Sequence, residues 1–166
     1  VLDRLAVQLQ SENPKPLKVR KSKTKREPHF KVGDVLAVKF KDNYGAIFVS
    51  DVDQSPRKIE YHLACTRLLQ ADKPSMDDFL NSQISCRKDN TNFGIDTDCW
   101  FNHKDLGLLL DDLEIIGTVE LYPCKLWTLA PAHTLDDIYN EITDEPRIGK
   151  LRLIDTYELV KDIVQK

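Results

Sequence analysis

Apolar and polar residues alternate through residues 30–66, and this pattern predicts three strands joined by two short turns. Lysines flank Phe40, as in a strand with one face buried and one face in water. Turns are predicted near 42–45 and 54–57, where Gly45 and neighbouring polar residues favour a chain reversal. Three consecutive antiparallel strands form a meander, which needs further strands or a helix to cover its face.

Later in the chain, the apolar spacing changes from two to about 3.6 residues, which predicts helices between further strands. The predicted helices are 74–81, 102–111, 135–142 and 154–164, and the predicted strands are 84–88 and 115–122. Ser75, Asn102 and Thr134 suit the N-cap position of the first three helices. Trp100 and Phe101 are expected to pack the second helix onto the sheet. The predicted fold class is α+β, an SH3-like antiparallel β meander or small barrel covered by helices.

The chain has a basic N-terminal part and an acidic remainder. Residues 1–31 carry nine Lys or Arg and three Asp or Glu, a net charge of +6. Residues 32–166 carry fifteen Lys or Arg and twenty-four Asp or Glu, a net charge of −9. Residues 2–10 place apolar side chains on one face of a short helix, and prolines flank the basic stretch that follows. We therefore predict a short helix with a basic linker or arm over 1–28, and a single α+β domain over 29–166.

Two functions are open for the basic arm: a solvated connector, or an anchor to the phosphates of a nucleic acid. The arm has no aromatic side chains on which bases can stack, and the acidic remainder repels nucleic acid. Both features favour the connector. The nucleic-acid alternative assigns the contacts to Lys18, Arg20, Lys21, Lys23, Lys25 and Arg26.

Length and composition are those of one globular domain. The chain has 166 residues, 41% of them hydrophobic and 31% charged, which suffices for a sizeable core. No apolar run approaches the roughly 20 residues that span a bilayer, so no membrane association is predicted. The four cysteines form no CxxC pair. This spacing favours buried thiols without disulfides and a reducing, cytoplasmic location.

Known residue patterns for catalysis and metal binding are missing from the sequence. The four histidines are not spaced with cysteines as zinc ligands are. His62 and Cys65 are three residues apart on a predicted strand, so their side chains point to opposite faces and cannot form a nucleophile–base pair. The polar stretch 89–98 departs from a calcium loop, with Phe93 fifth and Trp100 twelfth. We therefore predict a protein that is not an enzyme and binds no metal and no cofactor.

A short N-terminal motif resembles a known family. Gly33 and Asp34 precede an apolar strand, and Tyr44 and Gly45 precede a second one. This arrangement, over about residues 30–54, resembles the opening of the immunity protein 26 family, whose bacterial members protect against polymorphic toxins. The resemblance implies a cytoplasmic protein that neutralises a toxin by binding it, without catalytic residues.

A protein partner also suits the charge of the chain, because an acidic surface attracts a cationic toxin. Tyrosine and tryptophan are common anchors of protein interfaces. Tyr44 is expected in a turn between strands, and Trp100 follows a polar loop that carries Asp96 and Asp98. These four residues are the predicted partner-binding site.

Overall fold

The computed structural model of the chain describes residues 26–88, 93–95, 98–121, 125–126, 131–143 and 155–165. The strands are β1 (Asp34–Lys39), β2 (Tyr44–Gln54), β3 (Ile59–Gln70), β4 (Gln83–Lys88), β5 (Phe93–Ile95), β6 (Asp98–Asn102), β7 (Leu113–Thr118), β8 (Glu120–Leu121), β9 (Lys125–Leu126), β10 (Asp155–Leu159) and β11 (Val164–Gln165). The helices are α1 (Met76–Leu80), α2 (His103–Gly107), α3 (Leu135–Thr143) and α4 (Val160–Ile163), and Leu110–Asp112 form a 3-10 turn.

Five strands form an antiparallel sheet in the order β6-β3-β2-β1-β7. Its strands β1, β2 and β3 form the predicted meander, with turns close to the predicted positions. A second sheet has the order β10-β4-β5-β9, in which β5 and β9 are parallel, and β8 pairs with β11. The prediction of a mixed α and β protein with an antiparallel meander is confirmed.

One face of the five-stranded sheet carries what we call the first core. Leu36 of β1 and Ile47 of β2 lie on this face, where they are fully buried. Helix α2 covers them with Leu106, and α3 covers them with Ile138 and Ile142. Successive residues of a strand point to opposite faces. The alternate residues of β1 and β2 must therefore be buried by other elements on the opposite face.

The opposite face carries the second core, which contains Val35 of β1 and Phe48 of β2. Phe79 of α1, Ile84 of β4 and Val160 of α4 cover this face. Since β1 is shielded on both faces, all its residues from Asp34 to Val38 are buried. This burial explains why the strand is a continuous apolar run rather than an alternating one.

Side-chain hydrogen bonds cap the start of three predicted helices. The Ser75 hydroxyl accepts from the Asp78 N–H at 3.2 Å, and the Asp78 carboxylate accepts from the Ser75 N–H at 2.8 Å. Asn102 Oδ1 accepts from the Asp105 N–H at 2.9 Å. Thr134 Oγ1 accepts from a backbone N–H three residues later at 3.4 Å. Each bond satisfies an N–H that has no partner within its own helix, so all three predicted caps are confirmed.

The bend before β1 depends on Gly33, whose φ is 91°. Its N–H donates to the Val49 carbonyl at 2.8 Å, and its carbonyl accepts from the Val119 N–H at 2.9 Å. A Cβ at this position would overlap the Val119 carbonyl oxygen. The next residue, Asp34, accepts the Lys31 N–H at 2.7 Å. Gly33 and Asp34 therefore join β1 to β2 and to the segment between β7 and β8.

The predicted C-terminal helix is wrong over most of its length. Residues 155–159 form β10, and each pairs with a residue of β4 in antiparallel register. Only Val160–Ile163 are helical. The partner strand lies about 70 residues earlier in the chain. Pairing of β10 with a distant strand overrides a weak local preference for helix. The sequence pattern around 154–164 contains no information about that partner strand.

Four other predictions need correction. Trp100 and Phe101 belong to strand β6 itself, where Phe101 enters the first core. The second helix ends at Gly107, and a 3-10 turn follows it. The predicted polar loop contains the short strand β5, and the strand predicted over 115–122 begins at Leu113 and breaks before β8.

The predicted helix over 2–10 and the basic arm up to Lys25 lie outside the described residues. No helix in the described part of the chain is long and apolar enough to cross a membrane.

Candidate functional site

Five residues of three adjacent strands lie together on one face of the sheet. Asp51, His62 and Trp100 face one another across β2, β3 and β6, and Asp53 lies opposite Glu60 in the neighbouring row. Directly paired residues of an antiparallel sheet share a face. We call this surface the polar sheet face. It lies on the same face as the second core, beyond Phe48 and Ala64.

A β-bulge at Ser50 produces this surface. The register shifts between Val49 and Asp51, so that Ser50 is an extra residue in β2. An extra residue exchanges the two faces of the strand beyond it. Val52 consequently packs against the first core, and Asp51 is turned away from it. Without the bulge, both aspartates of β2 would point into apolar surroundings.

Charge on the polar sheet face is net negative. Asp51 and Asp53 are exposed, whereas the side chain of Glu60 is only 14% exposed. Lys58 forms an ion pair with Glu60 at 2.6 Å and lies 5.8 Å from the centre of the Trp100 ring. Three carboxylates thus face one ammonium group around a half-buried tryptophan. Such a surface suits a cationic protein with an apolar side chain at its centre.

The structure separates two of the predicted partner-binding residues, Tyr44 and Trp100. Trp100 belongs to the polar sheet face, and Asp98 lies in the same strand opposite Ala64. Tyr44 is not at a turn tip, because it is the first residue of β2, half-buried and paired with residues of β1 and β3. It lies roughly 20 Å along the strand from Asp51. Asp96 lies outside the described residues.

Of the six basic residues assigned to nucleic-acid contacts, Arg26 is described. It is exposed, and its carbonyl accepts from Gln54 Nε2 at 3.2 Å. The other five, Lys18, Arg20, Lys21, Lys23 and Lys25, lie outside the described residues.

A second cluster, not predicted from the sequence, joins His29, Tyr61 and His103. The rings of His29 and His103 are stacked, with centres 4.0 Å apart and planes 2° from parallel. The Tyr61 oxygen accepts the His29 backbone N–H at 2.9 Å and lies 2.9 Å from His103 Nδ1. The hydrogen bond between Tyr61 and His103 joins β3 to the first residue of α2.

Burial and positive charge shift the titration of this cluster. Burial raises the pKa of Tyr61, and the hydrogen bond from the His29 backbone opposes that rise. Burial lowers the pKa of His103, and the charges of His29 and Arg26 lower it further. Two imidazolium rings stacked at this distance would repel each other, so the folded state favours a neutral His103.

The lowered pKa of His103 makes the stability of the fold depend on pH. The unfolded chain takes up a proton near the ordinary pKa of 6.5, whereas the folded chain takes it up only at lower pH. We therefore expect the unfolding free energy to be highest above pH 6.5 and to fall as the pH decreases towards 5. Urea unfolding at pH 7.5, 6.5, 5.5 and 5.0 measures this effect.

Replacing His103 by Asn keeps a hydrogen-bonding group near the Nδ1 position and removes the titration. We expect H103N to flatten this part of the pH profile. Asp78, Asp105 and Asp137, whose pKa values are lowered, titrate below this range and do not interfere. An equally steep decline in H103N would contradict the assignment.

Two cysteines lie in the first core. The thiols of Cys65 and Cys99 are buried, and their sulfur atoms are 4.0 Å apart. Both sulfurs also lie 3.8 Å from the Leu63 carbonyl oxygen. The predicted separation of His62 and Cys65 is confirmed, because His62 lies on the polar sheet face and Cys65 in the first core.

A cleft of about 400 Å³ lies between the β1–β2 turn and α3. Its lining residues are Phe40, Lys41, Asp42, Asn43, Leu135, Asp136 and Tyr139. Phe40 and Tyr139 pack edge to face with ring centres 5.1 Å apart. The cleft is near Tyr44 and distant from the polar sheet face, so the two surfaces do not form one site.

Comparisons with protein-family models, curated proteins and solved structures give no match to this chain. Its function must therefore be inferred from the arrangement of its own residues.

Proposed function

We propose that the chain is a non-catalytic protein-binding module that neutralises a cationic bacterial toxin by direct contact in the cytoplasm. The observation that carries this proposal is the polar sheet face, where carboxylates of two strands surround Trp100. Charge complementarity speeds the encounter of two proteins and excludes wrong partners, while a central aromatic side chain supplies affinity. A toxin whose active cleft binds nucleic acid has the required positive surface.

The resemblance to the immunity protein 26 family supports the same proposal. Two of its motif residues, Gly33 and Asp34, form the bend that holds β1 against its neighbours. Tyr44 and Gly45 begin β2. These residues have structural roles here, and they account for the motif without catalysis.

We also propose an SH3-like small barrel as the finer fold class. The strand order supports it, because β1, β2, β3 and β6 follow one another across the sheet and β7 returns to the free edge of β1. Function depends on the site that a fold carries, and here Trp100 lies beside Lys58 at the end of the β2–β3 turn.

Removing the charge of the polar sheet face should weaken binding to the partner. We expect D51N/D53N to lower the affinity about ten-fold, and Trp100→Ala to lower it by at least as much. The partner is first isolated from cells that make the chain, on immobilised wild-type protein, and then purified. Binding to each variant is measured by calorimetry at two salt concentrations.

A matched control is D72N/D111N, which removes the same charge from two other exposed aspartates. We expect it to bind like the wild type. Equal affinities for D51N/D53N and this control would exclude the polar sheet face as the interface.

Neutralisation is tested separately from binding. The purified partner should arrest growth when expressed alone, and co-expression of this chain should restore growth. If the partner binds but does not arrest growth, the chain is a binding module and the immunity role is excluded.

The alternative is a module that associates with nucleic acid through the basic arm. It predicts retention on nucleic acid that is lost steeply as salt rises. Its candidate residues are Lys18, Arg20, Lys21, Lys23, Lys25 and Arg26.

A further inference from the structure

Two thiols in the first core lie beside each other on neighbouring strands. Cys99 of β6 is paired with Leu63 of β3, and Cys65 is two residues beyond Leu63 on the same face of β3. The sulfur atoms of Cys65 and Cys99 are 4.0 Å apart. Both lie 3.8 Å from the Leu63 carbonyl oxygen, an acceptor that their S–H groups share. The fold thus brings together two side chains that are 34 residues apart in the sequence.

The two sulfurs are close enough to bond covalently after a small movement. A disulfide has its sulfurs about 2 Å apart, so closure requires an approach of about 2 Å. Rotation of the two side chains supplies part of this approach, and a shift of β6 supplies the rest. Strand β6 ends the five-stranded sheet, and beyond it the described residues contribute a bridge between Pro131 and Trp100. An outermost strand moves more easily than β3, which has a strand on each side.

Burial limits the access of reagents to both thiols. Cys65 is fully buried, and Cys99 is 3% exposed. Local opening of an edge strand is the route by which a small molecule reaches such positions. Opening of β6 uncovers Cys99, which belongs to the moving strand, before Cys65, which belongs to β3. Cys99 is therefore the thiol that meets an oxidant first.

We propose that Cys65 and Cys99 are a site of oxidative modification, in which hydrogen peroxide joins the two thiols in a disulfide that fastens β6 to β3. The Cys99 thiolate attacks one peroxide oxygen, the O–O bond breaks, hydroxide departs, and a sulfenic acid remains on Cys99. The Cys65 thiolate then attacks the Cys99 sulfur, and the S–O bond breaks with loss of a second hydroxide. The two thiol protons convert the hydroxides into water, so both sulfurs are oxidised and one peroxide is reduced.

The bond would act on the strand that carries Trp100. Trp100 follows Cys99 directly and lies on the polar sheet face, opposite His62 of β3. Joining β6 to β3 one residue away would hold Trp100 in its paired position beside His62. Cytoplasmic disulfides are mostly transient and respond to oxidant. This effect on the binding surface rests on the proposed function, whereas formation of the bond does not.

The test is peroxide treatment of the reduced full chain in native buffer, followed by alkylation of the remaining thiols and digestion with trypsin without reduction. Trypsin places the four cysteines in four separate peptides, 59–67, 68–87, 89–104 and 105–125. We expect mass spectrometry to find peptides 59–67 and 89–104 joined, with two hydrogen atoms fewer than their sum. Reduction should separate them.

The same treatment in urea is the matched control. Short loops close most readily in an unfolded chain, so Cys86 and Cys99, 13 residues apart, should pair there in preference to Cys65 and Cys99. In the folded chain we expect pairing of Cys65 with Cys99 to exceed pairing of Cys86 with Cys99 by about ten-fold, because only the geometry of the fold favours the longer loop.

Two variants make the test specific. Cys86→Ser/Cys124→Ser leaves the pair intact and should be oxidised as fast as the wild type. Its oxidised form should unfold at a midpoint about 5–10 °C above that of its reduced form, because the bond restricts the unfolded chain. Cys65→Ala should abolish the joined peptides and leave a sulfenic acid on Cys99, which dimedone labels.

Peptides 59–67 and 89–104 joined in native buffer, with a raised midpoint, would support the site. Failure of the pair to form at a peroxide dose that oxidises glutathione completely, or the same pairing pattern in native buffer and in urea, would overturn the proposal. A bond that forms without a rise in the midpoint would contradict the fastening of β6. None of these measurements uses the partner, so this proposal and the proposed function can fail separately.

Discussion

Replacing Gly33 by Ala is expected to lower the free energy of unfolding by roughly 2–5 kcal/mol. At φ 91° an L-residue is strained, and the added Cβ would overlap the backbone oxygen of Val119. A backbone atom cannot move aside as a flexible side chain can. Relief would have to break the bonds from Gly33 to Val49 or Val119, which hold β1 in the sheet.

Urea unfolding followed by circular dichroism measures this change. Lys31→Ala is the matched control, because Lys31 is exposed in the same bend and only its backbone N–H bonds to Asp34. We expect this control to differ from the wild type by less than about 0.5 kcal/mol. If G33A were as stable as K31A, the left-handed bend described here would be wrong.

The second large effect is expected for Phe79→Ala, at about 3–5 kcal/mol. Phe79 is fully buried and is the buried residue of α1. Its ring meets Phe48 edge to face, with centres 5.8 Å apart. Truncation would leave a cavity between helix and sheet that neither element can close, because both are held by hydrogen-bonded backbone.

Asp77→Ala, at an exposed position of the same helix, controls for helix propensity. We expect the thermal unfolding midpoint of F79A to drop by more than 10 °C, and that of D77A by only a few degrees. Similar midpoints for the two variants would mean that α1 does not pack on Phe48.

Features set by neighbouring residues could be predicted from the sequence. The meander β1–β3 follows from alternation and two turns, each within about five residues. The cap at Ser75 follows from an aspartate three residues later. In both cases the atoms that interact are close in the chain, so the pattern itself contains the partners.

Features set by distant residues could not be predicted in this way. His29 and Tyr61 are 32 residues apart, and Tyr61 and His103 are 42 apart, so no spacing rule connects them. The polar sheet face depends on one extra residue in β2, Ser50, and on the pairing of β3 with β6. Of that surface, the sequence indicated Trp100 and the acidic character, but not the strands that bring them together.

The composition of the second core affects how the protein folds during its synthesis. Strands β1 and β2, which carry Val35 and Phe48, are synthesised before the elements that cover the second core. Part of their cover arrives only with Val160 and Val164, more than a hundred residues later. During synthesis this apolar surface is therefore incompletely covered. Until these two residues have been translated, the growing chain exposes apolar surface that favours aggregation.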